Sequence, residues 1–229
     1  MKKHLLFVVV IFLICVNVKS QILGGTSLRF DGNHDYIQIP DSPELTPSTN
    51  QLTIEAWVKS LIDSTTQVII SKYDSNSGSE NLSWGLAWLN TGQIRFGVYQ
   101  SMYIYNTVDT DSSYLKIGEW NHIAATFDLQ SQETHIYVNG IDVQLTLAQG
   151  SSNISHISDN NVPVLIGAIS TLTDGGLIQF WQGNIDEIRI WNIVRSQNQI
   201  QSTMNDTLSS AYYSIPDSGL VAYWRCDQL

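Results

Sequence analysis

Cysteine is nearly absent from this chain of 229 residues, which holds only Cys15 and Cys226. Cys15 lies in an apolar run that follows two lysines near the N-terminus and ends at Val18-Lys19-Ser20. This pattern is typical of a secretory signal peptide that is cleaved after a small residue. We therefore expect residues 1–20 to be removed and residues 21–229 to form one secreted or cell-surface domain, with one cysteine and no internal disulfide.

Positive charge is also scarce. The sequence has 11 lysines and arginines against 21 aspartates and glutamates, so its net charge is −10 at pH 7. Because residues 1–20 hold three of the lysines and no acid, cleavage would shift the net charge to −13. Such a surface repels polyanions, which argues against nucleic acid and anionic membranes as partners. A neutral glycan, a cationic partner or a divalent metal ion is compatible with it.

Long apolar runs and flexible linkers are missing from the rest of the sequence. No apolar segment after residue 20 reaches the roughly 20 residues that a membrane-spanning helix needs, so we expect no membrane insertion of the cleaved chain. No internal repeat, low-complexity tract or linker rich in proline and glycine divides the chain, which favours a single domain.

Short β-rich segments separated by turn residues fill the sequence instead. Leu52 to Lys59 alternates apolar and mostly polar residues strictly, which predicts a half-buried strand. Asn139-Gly140 lies between two such segments and predicts a tight hairpin. The other predicted strands are 67–73, 83–89, 93–99, 120–128, 133–138, 141–147, 162–168, 185–191 and 219–225.

One short helix is predicted after the last long strand. Ser196 and Gln199 have the spacing of a capping box, and Ile200 and Met204 follow as one apolar stripe. A single helix among many strands does not suit a fold with helices between parallel strands. The sequence therefore predicts an all-β fold, a two-sheet antiparallel β-sandwich with one short helix.

The segment Gly183 to Trp191 carries an unusual aspartate. If it is a regular strand, Asp186 lies on the same face as Ile188 and Ile190. A carboxylate in an apolar row is costly unless a cation or a hydrogen-bond donor meets it. Asp186 is therefore a candidate metal ligand, with two alternatives: it caps backbone N–H groups, or it pairs with Arg29.

Nine segments in this order resemble the laminin G-like (concanavalin A-like lectin) jelly-roll domains of secreted proteins. The segments are 27–32, 35–40, 52–58, 69–72, 118–125, 136–140, 165–167, 183–191 and 219–224. The resemblance implies a structural calcium ion between the first strand and the strand that holds Asp186. Asp186 would supply a carboxylate, and Asp31 or the backbone near Gly32 would face it. The alternative for Asp31 is that Asp-Gly only forms a turn.

Aromatic residues near amides make a second candidate site, for a glycan. Sugars bind to aromatic faces together with hydrogen-bonding side chains. Trp84 and Trp88 share one face of a strand, and the following region adds three tyrosines and an amide; the candidate ligand-binding residues are Trp84, Trp88, Tyr99, Tyr103, Tyr105 and Asn106. The alternative is that both tryptophans lie in the core, where we also expect the other strand tryptophans, Trp57, Trp120, Trp191 and Trp224.

Catalytic motifs are absent from the sequence. A retaining glycosidase needs two carboxyl groups about 5 Å apart, and no Glu-x-Asp-x-x-Glu arrangement occurs. His122 is expected to be a packed strand residue. The sequence therefore predicts a secreted, non-catalytic, carbohydrate-binding module with structural calcium. The alternatives are an extracellular protein–protein adhesion or structural module, and an atypical glycosidase-related domain that would use Glu55.

Overall fold

The computed structural model describes residues 27–45, 47, 49–74, 81–148, 150–170, 176–206, 208 and 219–226, so the predicted signal peptide lies outside the described residues. The described part contains a 3-10 turn (Pro43–Leu45), one α-helix, α1 (Gln197–Thr203), and β-strands. The strands are β1 (Leu28–Asp31), β2 (Ile37–Ile39), β3 (Gln51–Ser60), β4 (Gln67–Tyr73), β5 (Leu82–Trp88), β6 (Ile94–Tyr99), β7 (Tyr105–Thr110), β8 (Asn121–Asp128), β9 (Glu133–Val138), β10 (Ile141–Asp142), β11 (Leu145–Leu147), β12 (Val164–Ile166), β13 (Ile169–Ser170), β14 (Leu177–Ile178), β15 (Gln182–Trp191) and β16 (Leu220–Trp224).

Two antiparallel sheets of seven strands each form the molecule. Sheet A has the order β1-β15-β3-β8-β9-β10, and β16 also pairs with β15. Sheet B has the order β11-β7-β6-β5-β4-β12-β2, and β13 pairs with β14 in a small third sheet. The predicted two-sheet antiparallel sandwich with one short helix is confirmed.

Alternating side chains build the core between the sheets. In β3 the residues Leu52, Ile54, Ala56 and Val58 all point inward and are at most 1% exposed. The alternating residues of β5 and β6 in sheet B pack against them from the other side of the core. Residues two apart on a strand share a face. The predicted alternation of β3 is confirmed, and it fixes which residues of each strand remain for the outer faces.

The Asn139-Gly140 hairpin forms as predicted. Both residues have positive φ, 51° and 76°, as a two-residue hairpin turn requires. The strand predicted to follow it, 141–147, is divided: β10 pairs with β9 in sheet A, whereas β11 pairs with β7 in sheet B. The chain passes from one sheet to the other here.

Helix α1 begins with the predicted capping box. Ser196 accepts from the backbone of Gln199, and the Gln199 side chain accepts from the backbone of Ser196. Ile200 is fully buried against Ala124 and Tyr137 on the outer face of sheet A. Among the residues that the structure describes, no helix has the length and apolar character to span a bilayer.

Candidate functional site

Trp84 and Trp88 lie in the core, so the prediction that they form a sugar platform is wrong. They share a face, as expected, but that face is the inner one: the two side chains are 0% and 1% exposed. Trp88 packs against Trp181 with ring centroids 6.2 Å apart. The alternative given for these tryptophans, burial in the core, is correct.

The opposite face of the same sheet carries two of the three predicted tyrosines, Tyr99 and Tyr105. The directly paired residues Tyr99 of β6 and Tyr105 of β7 point away from the core, because the adjacent pair Val98 and Asn106 points inward. Their ring centroids are 5.7 Å apart. The structure therefore brings two of the predicted ligand-binding residues together on the outer face of sheet B.

A third tyrosine, which the sequence did not single out, completes this group. Tyr73 at the end of β4 meets Tyr99 edge-on, with ring centroids 5.4 Å apart. Burial, aided by Tyr99, raises the pKa of Tyr73 to about 12, so its hydroxyl stays protonated at physiological pH. We call the outer face of sheet B around Tyr73, Tyr99 and Tyr105 the tyrosine face.

An ion pair lies beside the tyrosines. Arg95 and Asp109 are paired across β6 and β7, and the guanidinium contacts the carboxylate twice, Nε to Oδ1 at 2.7 Å and Nη2 to Oδ2 at 2.8 Å. The hydrogen bonds that Arg95 donates to the Asp109 carboxylate raise the pKa of Arg95 above its ordinary value. The Arg95 side chain remains 43% exposed, so the pair presents both donors and acceptors to solvent.

Small residues form the floor between these groups. Gly85 and Ala87 point outward from β5, and Gly97 does so from β6. A Cβ on Gly97 would lie 2.9 Å from the Tyr99 hydroxyl and from Thr107 Oγ1, so only glycine lets the Tyr99 ring lie over the strand. The residues of β6 that point outward are Arg95, Gly97 and Tyr99. This alternation of a charged, a small and an aromatic residue is the sequence pattern that could have predicted the tyrosine face.

Tyr103 and Asn106 do not join the tyrosine face as predicted. Tyr103 lies in the connection between β6 and β7 and is 79% exposed. Asn106 is 6% exposed, and its Oδ1 accepts from Thr134 of sheet A at 3.2 Å. Asn106 therefore points between the sheets, because it alternates with the outward residues Tyr105 and Thr107, and its assignment to a ligand site was wrong.

The predicted position of Asp186 is also wrong, because β15 contains a bulge. Glu187 has φ of 49°, and the register with β3 shifts between Asp186 and Arg189. Asp186 consequently pairs with Trp57 on the outer face of sheet A, although Ile188 still points into the core. The Asp186 Oδ1 accepts from the backbone N–H of Glu187 at 2.8 Å, which agrees with its predicted alternative as a backbone cap.

Asp31 and Asp186 do not form one metal site. Asp31 pairs with Gln182, four residues from Asp186 along β15, so the two aspartates are about 13 Å apart along the strand direction, and each bonds to backbone amides of its own segment. Asp31 Oδ1 instead accepts backbone N–H groups of residues 33–35 at 2.8–3.3 Å, and Gly32 adopts φ of 80° in this turn. Burial opposes ionisation of Asp31, but these amides hold its pKa below its ordinary value.

The structure therefore does not bring the predicted calcium ligands together at one site. Within the described ranges, no three His, Cys, Asp or Glu side chains are grouped as a metal site. Calcium binding stays a prediction of the family resemblance, without Asp186, Asp31 and Gly32 as a common ligand set.

Glu55 lies on the outer face of sheet A, in a cluster that α1 covers. Its carboxylate is 0% exposed; one oxygen accepts from Arg195 Nη1, and the other lies 3.4 Å from His122 Nε2 and 3.9 Å from Arg189 Nη1. Arg189 also pairs with Glu187 at 2.7 Å. His122 is a packed strand residue, as predicted. Glu55 is sealed from solvent and lines no groove, so it cannot meet a substrate in this structure.

The remaining tryptophans divide between the core and the surface. Trp191 is fully buried, as predicted, under the guanidinium of Arg195 at 4.0 Å. Trp57 is only half-buried on the outer face of sheet A, where its Nε1 donates to the backbone of Met204. Trp120 is 40% exposed, so the prediction that it belongs to the core is wrong. Trp224 is partly buried at the core margin.

Solved structures of other proteins share this fold. A Bacteroides ovatus protein, provisionally assigned as carbohydrate binding, is 20% identical with a TM-score of 0.62, over 90% of this chain and 52% of that one. The CBM40 domain of Ruminococcus gnavus IT-sialidase, solved with α2,3-sialyllactose bound, is 17% identical with a TM-score of 0.57, over 78% of this chain and 98% of that one. A K499G mutant of NanB sialidase from Streptococcus pneumoniae is 22% identical with a TM-score of 0.61, over 82% of this chain and 28% of that one.

Two curated relatives match part of the chain, and a family model matches most of it. Pappalysin-1 is 29% identical over 98 residues in Mus musculus and 27% over 118 residues in Homo sapiens, which is 43% and 52% of this chain. The chain spans only 6% and 7% of the length of these relatives. The model of the Concanavalin A-like lectin/glucanases superfamily, Laminin_G_3, matches residues 31–201. Because this match covers well over half of the sequence, the chain belongs to the Laminin_G_3 family.

Proposed function

We propose that this protein is a carbohydrate-binding module whose ligand lies on the tyrosine face. The observation that carries the proposal is the contact of Tyr73, Tyr99 and Tyr105 on an outer face whose floor has only small side chains. Aromatic rings pack against the C–H surface of a sugar, and tyrosine adds a hydroxyl for hydrogen bonding. The Arg95–Asp109 pair supplies further donors and acceptors for sugar hydroxyls.

The boundaries of the face support an extended ligand. The segment after β11 runs along β7, where Ala148 and Ser152 donate to backbone carbonyls of Thr107 and Tyr105. On the other side, Ser71 of β4 donates to the Ala168 carbonyl next to β13. The small residues of β5 and β6 lie between these two borders, so a chain of sugars could approach the sheet there.

The solved relatives support a glycan as the ligand, although their low identity establishes only the fold. One of them was crystallised with sialyllactose and another is provisionally carbohydrate binding. The same fold serves proteins with different ligands and activities. For this reason the proposal depends on the side chains of the tyrosine face and not on the similarity alone.

We also propose that the module acts without catalysis and outside the cell. The carboxyl group that the glycosidase alternative needs, that of Glu55, is buried beneath α1 and bonded to Arg195. The sequence provides no pair of acids at the spacing of a glycosidase. The signal-like N-terminal segment and the acidic composition favour secretion or the cell surface.

A glycan array probed with the wild-type protein and with Tyr99→Ala and Tyr105→Ala tests this proposal. We expect specific glycan signals for the wild type and a loss of about tenfold or more in affinity for each alanine variant, because each removes a stacking ring. Tyr105→Phe is the matched control, since it keeps the ring and should retain most of the affinity. Glycan binding that is unchanged in both alanine variants, or absent from the wild type, would contradict the proposal.

The array is run once with calcium and once with chelator, which tests the calcium prediction separately. A glycan signal that is the same in both conditions would leave the tyrosine face as the binding site without an ion. A signal that requires calcium would show that the glycan-binding form of the protein holds a calcium ion.

A protein–protein adhesion module is the second candidate. Trp84 and Trp88 are buried, so they form no sugar platform, and this favours a module that makes its contacts through loops. In addition, Tyr103 is 79% exposed and Ile104 39% exposed at the tip of the β6–β7 hairpin, an aromatic and an aliphatic side chain placed for contact with another surface. A partner captured by the wild type and lost in Tyr103→Ala, together with an empty glycan array, would favour this candidate.

A further inference from the structure

Two cations on the outer face of sheet A lack counter-ions. Among the described residues, every lysine and arginine except Arg29 and Lys59 takes part in an ion pair, a hydrogen bond or another electrostatic contact. Arg29 and Lys59 have no ion-pair partner in this part of the chain, and both are partly exposed. In a protein of net charge −10, two unpaired cations that lie close together are unexpected.

The register of sheet A places these cations in one row. Arg29 of β1 pairs with Asn184 of β15, and Asn184 pairs in turn with Lys59 of β3. Paired residues on neighbouring strands project from the same face, and strands lie about 4.8 Å apart. Arg29 and Lys59 are therefore about 10 Å apart at their Cα atoms, with Asn184 between them. Their long side chains can converge on one group above Asn184.

An exposed indole continues the row. Asn121 of β8 pairs with Val58, so the preceding residue, Trp120, lies level with Lys59. Trp120 is 40% exposed although most large aromatic side chains of the described part are buried or half-buried. We call Arg29, Asn184, Lys59 and Trp120 the cation row.

We propose that the cation row binds one acidic sugar, with its carboxylate or sulfate held between Arg29 and Lys59 and its ring against Trp120. The guanidinium and the ammonium supply charge-assisted hydrogen bonds to an anionic oxygen. Asn184 donates one amide hydrogen to Ser27 Oγ at 3.1 Å and keeps its other amide hydrogen for the ligand. The indole offers an apolar face to the sugar ring.

The flanking acids limit the ligand to a single anionic group. Asp31 lies two residues beyond Arg29, and Asp186 lies two residues beyond Asn184, both on the face of the cation row. Asp31 accepts from backbone amides and Asp186 accepts from the Glu187 amide, and neither carboxylate forms an ion pair with Arg29 or Lys59. A polyanion would be repelled by these acids and by the net charge, whereas a sugar with one acidic group can place its hydroxyls against them.

Calorimetric titration at low ionic strength tests this site with defined probes. The probes are galacturonic acid methyl glycoside for the carboxylate, galactose 6-sulfate for the sulfate, and galactose as the neutral control. We expect binding of at least one acidic probe, weakened about tenfold or more in the double variant Arg29→Gln/Lys59→Gln and several-fold in Trp120→Ala. Binding should also weaken as salt rises toward 0.15 M, since exposed charges are screened there.

The controls separate this site from the tyrosine face and from general charge effects. Lys116→Gln removes an exposed lysine that already pairs with Glu119 and should bind as the wild type does. Tyr105→Ala should also leave acidic-probe binding unchanged, so failure of the proposed function would not affect this result. Because Arg29 and Lys59 have no partners to lose, the double variant should melt at the wild-type temperature; if it does not, the single variant Lys59→Gln serves.

Three outcomes would overturn the proposal. One is that neither acidic probe binds the wild type. Another is that the double variant binds the acidic probes as tightly as the wild type does. The third is that galactose, or aspartate offered as an amino acid anion, binds as well as the acidic sugars, because the site would then not recognise an acidic sugar.

Discussion

Both outer faces of the sandwich carry clusters of charged side chains, but the two clusters differ in their exposure to solvent. On sheet A, helix α1 covers Glu55, His122, Arg189 and Arg195, each at most 2% exposed. On sheet B, the Arg95–Asp109 pair lies open beside the tyrosines, with the arginine 43% exposed. A group of charged residues on a strand therefore indicates a ligand site only where no other element seals it.

The buried arginines of the cluster on sheet A bind to the backbone of helix α1 and its C-terminal extension. Helix α1 has seven residues, too few for stability in isolation. Arg195 donates to the carbonyl of Gln199, and Arg189 donates to the carbonyls of Thr203 and Asp206. Thr203 is the last residue of the helix and Asp206 follows it, so the Arg189 guanidinium lies at the C-terminal end, where a cation is favourable. Arg189 and Arg195 therefore hold the helix in place on sheet A.

The largest effect that tests this contrast is expected from Glu55→Gln. The substitution leaves two buried arginines without their common carboxylate, and removal of one partner from a buried ion pair costs about 3–5 kcal/mol. We expect that decrease in the free energy of unfolding, measured with urea. Glu119→Gln, which removes an exposed partner of Lys116, should cost less than about 1 kcal/mol. A similar small loss in both variants would show that the sealed cluster is not a buried ionic network.

Paired substitutions in sheet B test the difference between its two faces. Trp84→Ala empties a fully buried site and should lower the free energy of unfolding by about 3–5 kcal/mol. Tyr105→Ala, on the other face, should lower it by about 1 kcal/mol or less, because a partly exposed ring loses little burial. Urea unfolding of both variants gives the comparison. If Tyr105→Ala is as destabilising as Trp84→Ala, the tyrosine face is structural.

Acid should act on the sealed face through Glu55. Burial acts to raise the pKa of the Glu55 carboxyl, but His122 and Arg195 outweigh it and hold the pKa below its ordinary value. A carboxyl with a lowered pKa in the folded state stabilises the protein above its unfolded-state pKa of about 4.3 and loses this contribution as pH falls toward the folded value. The stability advantage of the wild type over Glu55→Gln should therefore be constant at neutral pH and shrink below about pH 4.3.

Asp31 and Asp35 also titrate, but they are common to both proteins. Urea unfolding at a series of pH values measures the difference, and an advantage that persists unchanged at pH 3 would contradict it.

Much of the fold could be predicted because its signals are local. The alternation of Leu52 to Lys59, the Asn139-Gly140 turn and the Ser196–Gln199 capping box each depend on residues close in sequence, and each formed as expected. The inward placement of Trp84 had a local signal too, since Leu82, Trp84, Leu86 and Trp88 alternate with small or polar residues. That pattern favoured the core over a sugar platform.

The sites were harder to predict because they depend on distant partners. The bulge at Glu187 moves Asp186 to the outer face, and neither glycine nor asparagine marks that position of positive φ. Glu55 meets Arg195, 140 residues away in sequence, only after β3 and α1 pack together. Tyr73 joins Tyr99 across the intervening strand β5. Spacing within one segment gives no information on such contacts.

The smallest effect concerns Asp31, at the edge of sheet A, and separates a turn from a metal site. Its Oδ1 accepts from the backbone N–H groups of Asn33, His34 and Asp35, and an asparagine oxygen could accept the same bonds. Asp31→Asn should therefore stay within about 0.5 kcal/mol of the wild type, whereas Asp31→Ala should lose about 1 kcal/mol. Both differences should be equal in calcium and in chelator, as measured by thermal unfolding. A calcium-dependent stabilisation that Asp31→Asn abolishes would instead make Asp31 a metal ligand, because a calcium ion bound only to the folded state raises its stability and asparagine lacks the charge to hold the ion as tightly.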